Sequence, residues 1–494
     1  MEVPLSCQVC FVNAVLRGGA EYCLSLKGNQ DRSWSEVSHL FATMHRDQIS
    51  EYADGEDLSH GRIESRIVSV IRSSLLSLQS AEFRISTSSN NVLFKMIKFS
   101  SINTPRKKHV VLLNLDQVIE SKGGREKVFC DMANALVKKG YTVTAICCDP
   151  IKGKPSFPID HKVRFINAYS KPKFYFLYKK PFKNLYCFSF SSIKRKNKRT
   201  AIDNKIKANS LKSVIHILYK ADICIAFQPQ STYILKEYIK LNCPVVTMLH
   251  SVPTLYFERP DFQEYKSSLN NCATVQVLMP EYIKVTRKSL PNVPIIYIPN
   301  VAPQFNVTPD YSKKKIIVLA RLSKEKRPLL LIQAMHLLSK KFPDWICEWW
   351  GEIFEESTFT KLIQSKIINL NLQDQFLLMG KTDNVKDKLK NASIFAIPSA
   401  FEGFSLSLGE ALSMGLPAVG CADCPSVNTL IRNNHNGILT ESNPNSYAKA
   451  LERLMIDEPL RKFYGKNGKK DMQAFSPEIV WDQWDNLIQS LINK

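Results

Sequence analysis

Two glutamates in the stretch FEGFSLSLGE, residues 401–410, are the first candidates for chemistry in this sequence. Glu402 and Glu410 lie eight positions apart, with glycines and serines between them. Paired carboxylates act as general acid and base in enzymes that hydrolyse glycosides, where they stand on opposite sides of the scissile bond. A hydrolase of this kind has no use for the two cations described next, so hydrolysis is the weaker interpretation of this pair.

A pair of cations, Arg321 and Lys326, follows an apolar run of strand length, Ile316 to Ala320, and precedes Pro328. Proline suits the first turn of a helix, so the sequence predicts a strand, a turn and a helix here. Arginine binds phosphate oxygens bidentately and lysine supplies a compact charge, which together suit a diphosphate. Taken alone, the two side chains could equally be solvated.

Two further features lie where a parallel sheet binds ligands. Gly123 and Gly124 separate the apolar run HVVLLNLD from a segment with helical spacing, and His250 ends another apolar run. Glycine lets backbone amides approach an anion at a helix start, and ligands of open α/β sheets bind beyond the carboxyl ends of strands. A structural turn and a structural histidine remain the alternatives.

The elements around these residues alternate short apolar runs with helical segments from residue 105 onward, which predicts parallel α/β sheets. We divide the chain into residues 1–104, a sheet domain at 105–305, a second at 306–475, and a docking helix at 476–494. Two consecutive sheet domains imply a cleft between them, where ligands commonly bind.

The composition of the chain indicates which kinds of partner and which cellular compartment to expect. The 494 residues carry 67 Lys and Arg against 45 Asp and Glu, a net charge of +22, which favours anionic partners. The 13 cysteines are scattered, and with no recognisable signal peptide they indicate a reduced, cytoplasmic protein. No apolar run is long enough to span a bilayer, so any membrane association is expected to be peripheral.

The most basic segment, residues 171–207, has twelve cations, a single acid and many aromatic residues. Such a mixture suits an anionic membrane surface, or single-stranded nucleic acid as the less favoured partner, while a mobile solvated insertion is the structural alternative. The residues predicted to form the membrane and acceptor patch are Lys179, Lys180, Lys194, Arg195, Lys196, Lys198 and Arg199.

The first hundred residues lack the alternating pattern. GGAEYCLSLKGNQ and HGRIESR, within residues 11–70, resemble the C-terminal part of an insertion-sequence transposase of the DDE type. Of the three acidic residues that such enzymes use to hold metal ions, only Glu64 lies in a matching motif. We therefore expect residues 1–104 to be a poorly structured remnant without activity of its own.

Residues 107–490 resemble glycosyltransferase family 4. GGREKVFCDMANAL, TMLHSVP, LARLSKEKRP and IPSAFEGFSLSLGEALSMGLPAV occur in that family's order, and the second half resembles bacterial lipopolysaccharide and capsule enzymes. The resemblance implies the GT-B fold, with two Rossmann-like domains facing a cleft, an acceptor domain at 105–305 and a nucleotide-sugar donor domain at 306–475. It also implies transfer from a nucleotide-sugar, with UDP expected, with retention of configuration and without a metal or other cofactor.

The same resemblance assigns roles. Arg321 and Lys326 would hold the donor diphosphate, Glu402 the donor sugar and Glu410 the ribose, while His250 would lie near the reacting sugar. The remaining donor contacts are expected from Gly123, Gly124, Gly403, Phe404, Ser405 and Leu406. One departure from the family is Gly351, which stands alone where a Gly-x-Gly turn is usual.

The predicted function is therefore a hexosyltransferase-type enzyme that adds a sugar to a lipid-linked, lipopolysaccharide or capsule oligosaccharide. Its expected place is the inner face of the cytoplasmic membrane. The alternatives are an inactive fusion of a transposase fragment with a glycosyltransferase, and a DNA-binding protein derived from a transposase.

Overall fold

The computed structural model describes residues 23–27, 49–57, 64–71, 81–88, 91–98, 106–121, 123–170, 192–259 and 261–493. The chain divides into two compact units, Met1–Arg106 and Lys107–Lys494. They differ in architecture, since the first unit holds an antiparallel sheet and the second holds two parallel sheets.

The described residues of the first unit form five strands in the order β1-β5-β4-β3-β2. Their bounds are β1 Cys23–Lys27, β2 Ile49–Asp57, β3 Glu64–Ile71, β4 Ala81–Ser88 and β5 Asn91–Lys98. The sequence analysis did not predict these strands, and most of the remaining residues of this unit lie outside the described ranges. Glu64, from the transposase-like motif, begins β3.

The first lobe of the second unit is built on a seven-stranded parallel sheet with the order β12-β11-β10-β9-β6-β7-β8. Its strands are β6 His109–Asn114, β7 Thr142–Cys147, β8 Arg164–Asn167, β9 Ile223–Ala226, β10 Val245–Leu249, β11 Thr274–Val277 and β12 Ile295–Tyr297. Strands β9, β10 and β11 are buried throughout, and β6 and β7 are buried except at their first residue, as continuous apolar runs predict for a parallel sheet covered on both faces.

Seven helices belong to the described part of the first lobe. They are α1 Gly124–Lys138, α2 Ser192–Leu211, α3 Ile215–Leu218, α4 Pro229–Tyr233, α5 Pro253–Phe257, α6 Phe262–Asn270 and α7 Tyr282–Ser289. Short helical turns at Lys212–Val214 and Ile234–Ile239 continue α2 and α4. In α1, Val128, Met132 and Leu136 are buried at the helical spacing seen in the sequence.

The second lobe has a six-stranded parallel sheet with the order β15-β14-β13-β16-β17-β18. Its strands are β13 Lys315–Leu319, β14 Ile346–Trp350, β15 Phe376–Gly380, β16 Ile394–Ile397, β17 Ala418–Cys421 and β18 Gly437–Thr440. Its helices are α8 Pro328–Leu338, α9 Thr358–Asn369, α10 Val385–Lys390, α11 Leu406–Met414, α12 Pro425–Leu430, α13 Pro444–Ile456 and α14 Glu458–Asp471. Short turns occur at Lys324–Lys326 and Met472–Phe475.

The last helix, α15 Pro477–Ile492, follows the second lobe in sequence but packs on the first. Val480, Trp484 and Ile488 are buried in one apolar cluster with core residues of the first lobe, among them Phe129 and Met132. Another buried cluster contains residues of both lobes, which therefore share apolar contacts.

Candidate active site between the two lobes

The strand order fixes where each parallel sheet opens for a ligand. In the first lobe the order reverses between β6 and β9, and in the second lobe between β13 and β16. Open α/β sheets bind ligands in the crevice at such a switch point, beyond the carboxyl ends of the strands. The ligand sites are therefore expected at the loops after β6 and β9 in the first lobe and at the loops after β13 and β16 in the second. These four loops carry most of the residues predicted from the sequence to bind the donor.

An ion pair joins the two loops of the second lobe. Lys326 Nζ lies 2.6 Å from Glu402 Oε1, and both side chains are largely buried. The backbone of the two loops is tied as well, since the amide of Ala400 donates to the carbonyl of Glu325 at 2.8 Å. The positive charge of Lys326 is thus held at the switch point, next to a carboxylate with further capacity to accept hydrogen bonds.

Arg321, the other predicted diphosphate ligand, is on the same loop but faces solvent. Its side chain is 61% exposed, and its guanidinium lies 3.7 Å from the Glu325 carboxylate. An exposed ion pair at this distance is weak, so the side chain is free to reorient toward an anion.

The stretch after β16 reaches across the cleft. A Cβ atom on Gly403 would lie 2.5 Å from the carbonyl oxygen of His250, and one on Gly124 would lie 2.9 Å from Leu406 Cδ1. The hydroxyl of Tyr282, in the first lobe, donates to the carbonyl of Glu402 at 2.8 Å. At Gly403 the neighbouring atom belongs to the backbone, so only glycine permits the approach. The two lobes therefore meet at the stretch that carries the two glutamates.

Helix α11 begins at this meeting point. Ser405 is its N-cap and accepts a hydrogen bond from the Leu408 amide at 3.4 Å, while Phe404 is buried beside it. The amides of the first turn of a helix favour negative charge. The start of α11 therefore faces the glycine turn of the first lobe, as a diphosphate held between the lobes would require.

His250 lies at the end of β10 with its ring stacked on Phe227, the centroids 5.1 Å apart. Its Nε2 atom is buried and has no hydrogen-bond partner among the residues that the structure describes. Burial, with the nearby charge of Arg125, lowers the pKa of His250 to about 3. The imidazole is thus neutral at physiological pH and has a nitrogen available for a ligand hydroxyl.

Glu410 lies one helical turn and a half beyond Ser405 on α11, and the charges of Lys127 and Asp131 on α1 of the first lobe act on it. Burial raises the pKa of this carboxyl to about 7. Lys127 is engaged by Asp131 at 2.7 Å and so offsets the cost of burial only partly. The carboxyl of Glu410 is therefore poised between its two protonation states near neutral pH.

The glycine pair is closely packed. A Cβ atom on Gly123 would lie 2.1 Å from Oε2 of Glu126, the third residue of α1, whose carboxylate also accepts from Arg125 Nε at 3.2 Å. An acidic residue at this position commonly folds back on its helix start. The absence of a side chain at Gly123 thus leaves room for the carboxylate of Glu126. That Gly123 and Gly124 bind a ligand stays a prediction.

Two groups of residues near the site were not singled out from the sequence. The first is Asp116 and Gln228, which are hydrogen-bonded at 2.5 Å at the switch point of the first lobe. The second group of residues lines a hollow of about 500 Å³ at the ends of β14 and β15 and includes Phe354 and Lys381. Gly351 directly precedes Glu352 in the wall of that hollow. A Cβ atom on Gly351 would lie 2.0 Å from the Ala320 carbonyl oxygen, and its φ is +154°, so only glycine fits this position.

The residues predicted to form the membrane and acceptor patch lie outside the described residues or are described only in their backbone. Lys179 and Lys180 fall in residues 171–191, which the structure does not describe, and of Lys194, Arg195, Lys196, Lys198 and Arg199 it describes only the helical backbone of α2. Within the described residues, no cluster of His, Cys, Asp and Glu could hold a metal ion, and no helix is long and apolar enough to cross a membrane.

The two lobes have the GT-B fold. TarM of S. aureus, solved as a variant in complex with fondaparinux, α-GlcNAc-glycerol and UDP, superposes with a TM-score of 0.62 at 15% identity, covering 77% of this chain and 99% of that one. Residues 304–471, most of the second lobe, match the family model "Glycosyl transferases group 1".

Two curated relatives match along almost their whole length. An uncharacterized glycosyltransferase of Haemophilus influenzae is 24% identical over 374 residues, 75% of this chain and 97% of the relative. A Campylobacter jejuni enzyme is 22% identical over 388 residues, 76% of this chain and 97% of the relative. The latter is named GalNAc-alpha-(1->4)-GalNAc-alpha-(1->3)-diNAcBac-PP-undecaprenol alpha-1,4-N-acetyl-D-galactosaminyltransferase. These similarities support a glycosyltransferase of the GT-B fold.

Proposed function

We propose that the chain is a retaining glycosyltransferase of family 4 that moves a sugar from a UDP-sugar to a lipid-linked or polysaccharide acceptor. The observation that carries the proposal is the meeting of the two lobes at residues 402–406. There the Lys326–Glu402 pair and the start of α11 face Gly124 and His250 of the other lobe. A cation, helix amides and a neutral histidine at one point suit a nucleoside diphosphate joined to a sugar.

On this proposal the donor diphosphate lies at the start of α11, with Lys326 and Arg321 as its counterions. Lys326 turns from Glu402 to the phosphate, which frees the Glu402 carboxylate to accept hydrogen bonds from sugar hydroxyls. In this arrangement the two cations and the helix amides stabilise the charge that develops on the leaving diphosphate. Glu410 accepts hydrogen bonds from the ribose hydroxyls.

Retention follows if the acceptor attacks from the face that the diphosphate leaves. The bond between the anomeric carbon and the phosphate oxygen breaks as the acceptor oxygen bonds to that carbon. The acceptor's proton passes to the leaving phosphate oxygen, so no protein nucleophile is needed. His250 Nε2 donates a hydrogen bond to a donor sugar hydroxyl and holds the ring in place.

The names of the relatives support the choice of substrates. TarM was crystallised with UDP, and the Campylobacter enzyme is named for an acceptor joined to undecaprenol through a diphosphate. The hollow near Phe354 and Lys381 lies beside the loop that carries Arg321, because the Leu322 amide donates to the carbonyl of Glu352, in the wall of the hollow, at 2.9 Å. An exposed aromatic ring there suits a uracil base.

Two further parts of the proposal concern the surroundings of the enzyme. We propose that the basic cluster 194–199 holds it on the inner face of the cytoplasmic membrane, close to a lipid-linked acceptor. We also propose that residues 11–70 derive from a transposase and take no part in catalysis. Both ideas rest on the composition and motifs of the sequence.

The test is a calorimetric titration of the full chain with UDP, ADP and GDP, with and without EDTA. UDP is expected to bind, equally well in EDTA, because the Lys326 and Arg321 charges replace a metal ion. Glu410→Ala is expected to weaken UDP binding at least about tenfold, as loss of charge-assisted hydrogen bonds does. UDP affinity that the substitution leaves unchanged would remove the ribose assignment, and absence of binding by all three nucleotides would refute the donor site.

The stereochemistry needs its own measurement. Proton NMR of the product formed from a UDP-α-sugar is expected to show an α linkage at the new anomeric centre. A β-linked product would refute retention while leaving the rest of the proposal in place.

A further inference from the structure

The start of α7 in the first lobe reaches the loop of the second lobe that carries Glu402. Tyr282, the first residue of α7, is 3% exposed, and its hydroxyl donates to the carbonyl oxygen of Glu402 at 2.8 Å. A tyrosine hydroxyl that is buried usually finds a hydrogen-bond partner. The partner here is the backbone of a residue that we place beside the donor sugar.

The order of the first sheet explains why Tyr282 reaches this point. Tyr282 follows β11, and β11 pairs in parallel with β10, which is followed by His250. The carboxyl ends of the two strands therefore open on the same edge of the sheet. The carbonyl of His250 lies against Gly403, and the hydroxyl of Tyr282 bonds to Glu402. Two neighbouring loops of the first lobe thus contact consecutive residues of the second.

A second bond between the lobes lies beside the first. The hydroxyl of Thr429, on α12, donates to the carboxylate of Glu281, which directly precedes Tyr282. Burial, and after it the nearby acidic groups of Cys424, Glu281 and Glu402, raise the pKa of Tyr282. The tyrosine hydroxyl therefore keeps its proton near neutral pH and acts as a donor.

The carboxylate of Glu402 and the backbone of Glu402 are held by different groups. The carboxylate bonds to Lys326, which on the proposed function turns to the diphosphate when the donor binds. The direction of the carboxylate then depends on how the backbone of this loop is fixed. The amide of Ala400 is tied to the carbonyl of Glu325 within the second lobe, whereas Tyr282 fixes residue 402 itself, and from the other lobe.

The side chains that we propose to bind the nucleotide are not part of this contact. Arg321, Lys326 and Glu410 all belong to the second lobe, as does the start of α11. Loss of the Tyr282 hydroxyl would leave each of these groups in place. Binding of the nucleotide and binding of the sugar can therefore be measured separately.

We infer that Tyr282 is a positioning residue for the donor sugar. It fixes the backbone of Glu402 from the first lobe, so that the carboxylate faces the sugar only when the two lobes are together. The inference rests on the proposed function and adds that recognition of the sugar, in contrast to recognition of UDP, depends on a bond between the lobes.

The experiment is a calorimetric titration of the full chain with UDP and with the UDP-sugars of glucose, galactose, N-acetylglucosamine and N-acetylgalactosamine. The measured quantity is the dissociation constant of the UDP-sugar that wild type binds most tightly, divided by that of UDP. Tyr282→Phe keeps the buried ring and removes the hydroxyl alone. It should raise this ratio about fivefold, as loss of one hydrogen bond does, and change UDP affinity less than about twofold.

Two control variants and one double variant separate the cause. The hydroxyl of Tyr311 donates to the carbonyl of Gly415 at the other end of α11, at 2.6 Å, so Tyr311→Phe is the matched change. Thr429→Val removes the second bond between the lobes. Both controls should leave the ratio within about twofold of wild type. In a Glu402→Gln background, Tyr282→Phe should add less than about twofold, because the carboxylate that it orients is absent.

An unchanged ratio in Tyr282→Phe would overturn the inference, and so would an equal rise in either control or a full rise in the Glu402→Gln background. Wild type that binds UDP but none of the four UDP-sugars would overturn it as well. Wild type that binds no UDP would instead refute the proposed donor, and the inference would fall with it.

Discussion

At the scale of single residues, the carboxyl of Glu410 links the stability of the fold to pH. Burial raises its pKa from 4.5 to about 7, so between these values the folded chain keeps a proton that the unfolded chain has released. Stability therefore falls as pH rises through this window and is flat above it. A shift of this size corresponds to at most roughly 3 kcal/mol.

Replacing Glu410 with Gln tests this linkage. The variant is expected to lack most of the decline in unfolding free energy between pH 5 and pH 8 and to be the more stable protein at pH 8. Urea unfolding followed by tryptophan fluorescence at the two values measures it. Parallel pH profiles for the two proteins would show that the carboxyl is not buried in solution.

In Arg327 the backbone conformation and the side chain make opposite contributions to the stability of the fold. It adopts φ +48° and ψ +49°, and its guanidinium bonds both oxygens of Asp423 at 2.7 and 2.9 Å. The left-handed conformation disfavours a side chain, while the ion pair ties the loop of Lys326 to the loop after β17.

Arg327→Gly removes both effects together. We expect the free energy of unfolding to change by less than about 1 kcal/mol, because relief of the backbone offsets loss of a partly exposed pair. UDP affinity is expected to fall several-fold, because the loop that presents Lys326 is no longer held. Asp423→Ala should weaken UDP binding equally. An Arg327→Gly protein with wild-type affinity would show that the pair does not position the loop.

At the scale of elements, helix α15 completes the core of the first lobe. Trp484 is 2% exposed and belongs to the same cluster as the residues of α1 and the first sheet, whereas Ile479 of the same helix is 44% exposed. The buried positions are 480, 484 and 488, a regular spacing of four. The apolar residues Ile479, Trp484, Leu487 and Leu491 predict a single face for this helix. Ile479 nevertheless lies outside the buried stripe, because it is five residues from Trp484.

This difference supplies a matched pair of substitutions. Trp484→Ala should lower the unfolding free energy by about 3–5 kcal/mol, the usual cost of emptying a buried aromatic site. Ile479→Ala should cost less than about 1 kcal/mol. Chemical denaturation of both variants measures the contrast. Equal costs would mean that the helix does not pack in this register.

The sequence anticipated the elements of the second unit better than those of the first. Continuous apolar runs mark strands buried on both faces, such as β6 and β10, and a parallel sheet follows from them. β18 is only four residues long and was not predicted. The hairpin of β4 and β5 was also missed, although Phe83 and Ile85 alternate with polar residues and Ser88 pairs with Asn91.

The site was predictable only as separate pieces. Arg321, Lys326, Glu402 and Glu410 were chosen by type and local position, but a sequence cannot show that Lys326 bonds to Glu402, since 76 residues separate them. The contact of Gly403 with His250 likewise depends on how the two sheets are arranged. The bond of Gln228 to Asp116 depends on how strands 112 residues apart meet within the first sheet. Such contacts arise from tertiary packing, which leaves no periodic pattern in the chain.

At the scale of the whole molecule, the two units of the chain are distinct. Residues 107–494 contain both parallel sheets and α15, and none of the predicted catalytic residues lies before residue 107. Removing residues 1–104 is expected to leave the unfolding midpoint of the remaining unit and its UDP affinity unchanged. Thermal unfolding and calorimetry of the shortened chain check this. Loss of soluble protein would show that the first unit is integral to the fold.

The net charge of +22 is a property of the whole molecule and favours its attraction to an anionic membrane surface. Changing Lys194, Arg195, Lys196, Lys198 and Arg199 to Gln is expected to weaken binding to vesicles of phosphatidylglycerol, each cation contributing up to about 1 kcal/mol. Sedimentation of the protein with such vesicles, and with neutral phosphatidylcholine vesicles as control, measures it. Unchanged sedimentation would remove the membrane proposal.

The position of α15 has a consequence for how the protein is made. A ribosome synthesises this helix after the whole second lobe, yet Val480, Trp484 and Ile488 fill the core of the first lobe. The first lobe therefore emerges with an apolar groove open and keeps it open while about 180 further residues are added. Completion of the early lobe is thus delayed until the late one has been translated, and during that interval a chaperone has an exposed surface to bind.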